Sequence, residues 1–264
     1  MLHKTRKAAL AALAVGTLAL TACGGGDEGS SESASGLDLV NDGQLTVCSD
    51  IPYPPFEFEE NGEYTGFDMD LVREIATGMD LELSVQAVGF DGLQSGTVLS
   101  AGQCDLGASA ITITEERQER LAFSDPYYDS LQSLLVPAGS DITGIDSLSG
   151  KRVGVQQGTT GEAYANENAE GAEIVAYPSD AELFLALQSG GIDAILQDLP
   201  VNIGHVGEGE YEIAEEYPTD ESYGFAMMKG NDDLVSAVNE QLAELRENGT
   251  YQEIYDKYFS EAAQ

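Results

Sequence analysis

From residue 44 onward, short apolar runs alternate with stretches whose apolar residues recur at helical spacing. QLTVC (44–48) predicts a strand, GFDMDLVREIATGM (66–79) an amphipathic helix and LELSVQAV (81–88) a second strand. A helical stretch near 92–102 follows, then DLGASA (105–110) as a strand and TEERQER (114–120) as a helix. The rhythm restarts after SLLVPAGSDITGIDSLSG. KRVGVQQ, AEIVAY and GIDAILQD read as strands, with GEAYANENA and AELFLALQSG as the helices between them. The tail predicts a long amphipathic helix, a turn at Asn248-Gly249 and a shorter aromatic-rich helix. This alternation is the signature of α/β architecture, with parallel strands covered by helices on both faces. Two such units of similar size imply a cleft between them. Ligands of open α/β sheets bind beyond the carboxyl ends of the strands, so the loops after the strands are where chemistry is to be sought.

The first 22 residues differ in kind from the rest. His3, Lys4, Arg6 and Lys7 precede the apolar run AALAALAVGTLAL, a secretory-signal pattern too short for a membrane span. Leu20-Thr21-Ala22-Cys23 resembles the bacterial lipobox, in which the cysteine carries a diacylglyceryl group. Residues 1–22 are then a lipoprotein signal peptide, and 23–36 a lipidated cysteine with a flexible, small and polar tether. Loss of the signal removes Lys4, Arg6 and Lys7 from the 11 basic residues and none of the 47 acidic ones. So acidic a chain excludes nucleic acid as a partner and reads as a solvated surface. Three cysteines are an odd number for an exported chain. With Cys23 lipidated, Cys48 and Cys104 remain, each beside a predicted strand, either as a disulfide or as two buried thiols.

With only His3 and His205 present, neither a histidine-based triad nor a histidine-rich metal site is available, and no metal or cofactor is expected. His205 reads as a surface residue. Asp68 and Asp70 open a helix, where acids are favoured in any case. The strand ends are richer. After KRVGVQQ, the run Gly158-Thr159-Thr160-Gly161 stands at a helix start, either as an anion site of free N–H groups or as a plain N-cap by Thr160. After DLGASA come Ser109, Ala110 and Thr112. Thr114 then stands as an N-cap, which places Arg117 in the first helical turn, where a cation opposes the helix dipole by about 0.3–1 kcal/mol. A planar guanidinium matched to a carboxylate is a reason to keep it there; a surface ion pair with a nearby Glu is the plainer one. Asp198 ends the strand GIDAILQD. The first strand ends in Asp50-Ile51-Pro52-Tyr53-Pro54-Pro55-Phe56, a stiff loop carrying an acid and aromatic rings. A cation, an anion site and a carboxylate around one cleft describe a receptor for a zwitterion.

DIPYPPFEF, GEYTGFDMDLVREIA, AITITEERQERLAFSDPYY, GKRVGVQQGTTGE, ILQD and ENGTYQEIYDKYF, in this order, resemble the family 3 extracellular solute-binding proteins of polar amino acid ABC transporters. The resemblance covers residues 44–259. It implies a two-lobed type II periplasmic-binding-protein fold with the ligand cleft between lobes and two chain crossings, near Ser130 and Gly224. Residues 37–130 and 224–264 then form the first lobe and 131–223 the second. It further implies that Arg117, with backbone N–H groups of Thr112 and Thr160, holds the α-carboxylate of an L-amino acid. Asp198, with main chain at Ser109 or Ala110 and the Thr112 hydroxyl, takes the α-ammonium. Tyr53 and Phe90 flank the side chain, and Asp50 and Gln156 meet its end. The segment after Phe90, FDGLQSGTVLSAGQCD, is longer than the family's usual spacing. The implied partners are a polar L-amino acid, with a basic one favoured by Asp50, and an ABC permease. The chain is expected to be a monomer outside the cytoplasm, anchored by its lipid to the outer face of the cell membrane. Two alternatives use the same features. One is a dehydratase acting on cyclohexadienyl substrates, with Asp50, Glu57 or Asp198 as general acid; the other is a sensory lipoprotein.

Overall fold

The computed structural model of the protein describes residues 36–207 and 209–260. The expected signal peptide and Cys23 lie outside the described residues. In chain order the strands are β1 Gln44–Ser49, β2 Phe58–Glu60, β3 Glu63–Thr65, β4 Glu82–Ala87, β5 Leu106–Gly107, β6 Leu121–Phe123, β7 Tyr128–Pro137, β8 Arg152–Gln156, β9 Glu173–Tyr177, β10 Ala194–Asp198, β11 Tyr211–Tyr223 and β12 Ala226–Met228. Two five-stranded sheets result, ordered β4-β1-β5-β12-β6 and β11-β7-β10-β8-β9. In the first, β1 lies parallel to β4 and β5, pairing Val47 with both Val85 and Leu106. In the second, β8 lies parallel to β9 and β10. The central strands are buried along almost their whole length rather than on alternate residues, because helices cover both of their faces. All five residues of β10 are buried, as are Leu45–Ser49 of β1.

The chain passes between the sheets twice. It leaves the first after β6 and enters the second at β7; it returns from β11 into β12. The two passages run side by side, with Tyr128 opposite Tyr223 in an antiparallel ladder. Backbone bonds from Tyr127 N to Tyr223 O (2.9 Å) and from Ser124 N to Phe225 O (3.0 Å) continue the pairing into the first sheet.

Helices Phe67–Gly78, Asp232–Asn248 and Thr250–Phe259 belong to the first sheet's lobe, and Thr160–Asn168, Asp180–Gln188 and Leu199–Val206 to the second. Phe67 starts its helix with the ring fully buried against Phe56, Tyr127 and Phe259. Aromatic side chains this deeply buried each contribute roughly 1.5–3 kcal/mol. The entry to that helix depends on Gly66, which has φ 125°. A Cβ there would lie 2.1 Å from the Phe56 carbonyl oxygen.

Several expectations change. The helix near 92–102 is two short ones, Phe90–Gln94 and Thr97–Ser100, interrupted at Gly96, which adopts φ 75°. The TEERQER helix is one turn, Glu115–Gln118, with Thr114 as its N-cap accepting from Arg117 N. In a single turn both helix ends lie beside Arg117, so the supposed dipole penalty is negligible. The expected N-cap at Thr160 is Thr159 instead, whose hydroxyl accepts from Glu162 N at 3.1 Å, because the helix begins one residue earlier than its apolar pattern. The expected surface histidine is half-buried: His205 Nε2 lies 2.9 Å from Asp180 Oδ1, and its ring stacks on Phe184 at 3.9 Å. Cys48 and Cys104 are joined as a disulfide within the first lobe, between the end of β1 and a position two residues before β5.

Candidate functional site

Five parallel strands end at one cavity between the sheets. Asp50 and Tyr53 follow β1, Phe90 follows β4, and Ser109, Ala110, Thr112 and Arg117 follow β5; Gln156 ends β8, Thr159 and Thr160 start the next helix, and Asp198 ends β10. All eleven line this cavity. The longer segment after Phe90 does not displace it, since the two short helices take up the added length within the first lobe's core. Loops after parallel strands converge at one edge of each sheet, which explains why residues from 50 to 198 meet here.

Arg117 is 4 % exposed. Its Nη1 donates to Thr112 O (2.7 Å) and its Nη2 to Gly158 O (3.0 Å), so the guanidinium is gripped from both lobes. Phe90 lies beneath it, 5.3 Å from ring centroid to Cζ. Among the described residues no carboxylate forms an ion pair with it, which sets aside the surface-pair alternative. Burial draws the guanidinium below its ordinary pKa, against the opposing pull of Asp198 and Glu221.

Asp198 receives Tyr53 OH at 2.9 Å on one oxygen and Gln132 Nε2 at 2.6 Å on the other. Burial, then the nearby Glu221 carboxylate, push its pKa up to about 6, with the bonds from Tyr53 and Gln132 pulling the other way. At the far end of the cavity Asp50 accepts from Gln156 Nε2 at 2.6 Å, across the cleft. Burial raises its pKa to about 6 as well, partly offset by Gln156.

The floor between these ends is the dipeptide Ser109-Ala110, held from beneath by two buried acids. Ser109 Oγ donates to Glu57 Oε1 (2.5 Å) and accepts from Asp50 N (3.1 Å). Ala110 N donates to Asp68 Oδ2 (2.9 Å), which also accepts from Tyr127 OH (2.7 Å). Ala110 adopts φ 45°, a left-handed conformation uncommon for a residue with a side chain, and these bonds hold it there. Glu57 and Asp68 are fully buried, and burial raises both their pKa values, Asp68 to about 7.

Sequence reasoning missed four participants. In the sequence Glu57 reads only as an acid for chemistry, and Asp68 only as a helix opener. Gln132 and Glu221 lie on β7 and β11, neither of which reads as a strand in the sequence. Glu221 accepts from the hydroxyls of Thr112 (3.1 Å) and Thr160 (2.8 Å), and Gln132 approaches it at 3.2 Å. No local sequence pattern points to either residue: the Thr112 and Thr160 hydroxyls that lie 3.4 Å apart above Glu221 come from segments far apart in the chain.

Residues 45–261 match the family model of bacterial extracellular solute-binding proteins, family 3. The lysine/arginine/ornithine-binding periplasmic protein of Escherichia coli K12 is 35 % identical over 228 residues, covering 81 % of this chain and 87 % of that one. The L-cystine-binding protein TcyJ of the same strain is 34 % identical over 223 residues, 82 % of this chain and 83 % of its own. An ancestral arginine-binding protein bound to glutamine superposes with a TM-score of 0.79 at 37 % identity, covering 83 % of this chain and 99 % of that one. With its two-lobed periplasmic-binding-protein fold, the chain belongs to the bacterial extracellular solute-binding proteins of family 3.

Proposed function

We propose that this protein captures a polar L-amino acid in the cleft between residues 37–130 plus 224–264 and residues 131–223, and delivers it to the permease of an ABC importer. The observation that carries the reading is the charge layout of the cavity: one buried arginine that forms no ion pair among the described residues at one side, and Asp198 and Asp50 spaced along the other. Arg117 pairs with the ligand's α-carboxylate, aided by the N–H groups of Thr112 and of Thr160, the latter in a first helical turn that leaves N–H groups without intrahelical partners. Asp198 takes the α-ammonium, with main chain of Ser109 or Ala110 and the Thr112 hydroxyl. Tyr53 and Phe90 flank the side chain, Thr159 caps the helix that presents Thr160, and Asp50 with Gln156 meets the distal end. Two carboxylates facing one guanidinium favour a basic side chain, since the second positive charge then finds Asp50. The lysine/arginine/ornithine-binding relative is consistent with that choice. Closure follows from contacts made to both lobes at once.

In the same reading, residues 1–22 direct export and Cys23 carries the lipid that holds the monomer on the outer face of the membrane. Among the described residues no helix is long and apolar enough to cross a membrane.

A thermal-shift panel of the twenty amino acids identifies the ligand, because saturation at 100 times its Kd adds about 2.7 kcal/mol to stability. With the ligand in hand, Arg117→Ala should weaken binding at least about 100-fold in calorimetry, as it strips a buried carboxylate of its partner. An Arg117→Ala protein with wild-type affinity would refute the assignment.

A further inference from the structure

Glu221 stands on β11 at a break in the ladder between Tyr217 and Glu221, next to Asp220 at φ 52°. Its carboxylate meets two of the residues that line the cleft. There one oxygen, Oε2, lies 2.8 Å from Thr160 Oγ1 and 3.1 Å from Thr112 Oγ1. A carboxylate has no hydrogen to give, so both hydroxyls are donors in these contacts. Each hydroxyl owns a single hydrogen, and once it is committed to Glu221 only lone pairs remain for any other partner. Thr160 shows the consequence directly, because its oxygen accepts from Gln132 Nε2 at 3.3 Å.

We propose that Glu221 is a positioning residue that makes the Thr112 and Thr160 hydroxyls acceptors toward the cleft, and thereby strengthens recognition of the ligand's α-ammonium and fixes which end of a zwitterion lies there. An acceptor-only hydroxyl is attractive to an ammonium and repulsive to a carboxylate. Gln132 ties the arrangement to Asp198, since the same Nε2 that contacts Glu221 bonds Asp198 Oδ1 at 2.6 Å. The ammonium station is therefore a set of oriented oxygens, and the carboxylate is left to Arg117. The inference rests on the amino acid reading given above.

The test compares ligands with and without the α-amino group in wild type and Glu221→Leu, by calorimetry. The pairs are L-arginine with 5-guanidinopentanoic acid, and L-glutamine with 4-carbamoylbutanoic acid. A leucine side chain offers no acceptor, which frees the threonine hydrogens to point into the cleft. The expected result is that the ratio of the two Kd values within a pair shrinks by about fivefold or more in the variant, with the desamino acid's own Kd changed less than about twofold. Equal weakening of both members, or an unchanged ratio, would overturn the proposal, because a role in folding or closure alone acts on both members alike. If no amino acid of the twenty binds the wild-type protein, the amino acid reading falls and this inference with it; if another amino acid binds, it and its own desamino acid form the pair. Thermal melting checks that the variant folds; should it not, Thr112→Val removes the same hydroxyl and must lower the same ratio.

Discussion

Asp198 and Asp50 each stand near pKa 6 before any ligand arrives, because burial disfavours their charge. A cation placed against either one favours the ionised form, so binding expels protons below neutral pH. Affinity is then fully developed above about pH 7 and falls as pH drops through 6. The loss approaches about tenfold per pH unit for each carboxylate that must ionise. A ligand that engages only the Asp198 end gives a limiting slope of one, and a basic ligand reaching Asp50 gives a slope approaching two. Calorimetric titrations between pH 5 and 8 in buffers of different ionisation enthalpy count the protons directly; affinity independent of pH over this range would contradict both roles. At this scale the sequence was informative wherever a polar residue follows a parallel strand, as with Arg117, Thr160 and Asp198. It was silent on Glu221, whose acid sits among the other acids of EEYPTDES, and on Asp68, whose first-turn position already had an adequate local explanation. What separates Asp68 from its neighbour Asp70 is burial against Ala110 and Tyr127, which no local pattern encodes.

Elements with strong periodicity were legible, and those set by tertiary pairing were not. The helix Phe67–Gly78 and the strands β1, β4, β8, β9 and β10 carry their patterns openly. β11, YEIAEEYPTDESY, is too acidic and too irregular to read as a strand; it is extended because β7 pairs with it on both sides of the break between Tyr217 and Glu221. The hairpin of β2 and β3 turns at Asn61-Gly62, both with positive φ, a signal present in the sequence but eclipsed by the more conspicuous helix after it. The junction from that hairpin into the helix is also the most exposed to a single change. In Gly66→Ala the new methyl meets the Phe56 backbone and cannot be relieved by a rotamer, so we expect destabilisation of roughly 3 kcal/mol or more. Urea unfolding measures it. A loss below about 0.5 kcal/mol, the range of ordinary surface changes, would show that the entry loop adapts.

For the molecule as a whole, the formal net charge of −36 is the dominant electrostatic fact. Most of the acids are solvated, and the ion pairs among the described residues join exposed side chains, apart from His205 with Asp180 and the partly covered Asp70. Self-repulsion of this kind opposes compaction and is screened over about 10 Å at 0.1 M salt. Raising sodium chloride from 0.02 to 0.5 M at pH 7 should therefore increase Tm by several degrees, of order 1 kcal/mol in stability. Scanning calorimetry across that range gives the sign; a Tm that falls with salt would mean that attractive pairs outweigh the repulsion. The side-by-side passage of the chain between its sheets has a further consequence, for how such a molecule diversifies. Because Tyr128 and Tyr223 face each other in register, the intervening residues enter and leave through one doorway, and they form an insertion that begins and ends at the same place. A whole second lobe is thus an exchangeable cassette: new distal contacts are recruitable from a relative through two adjacent splice points, while Arg117 and the oxygens beneath it stay in the host.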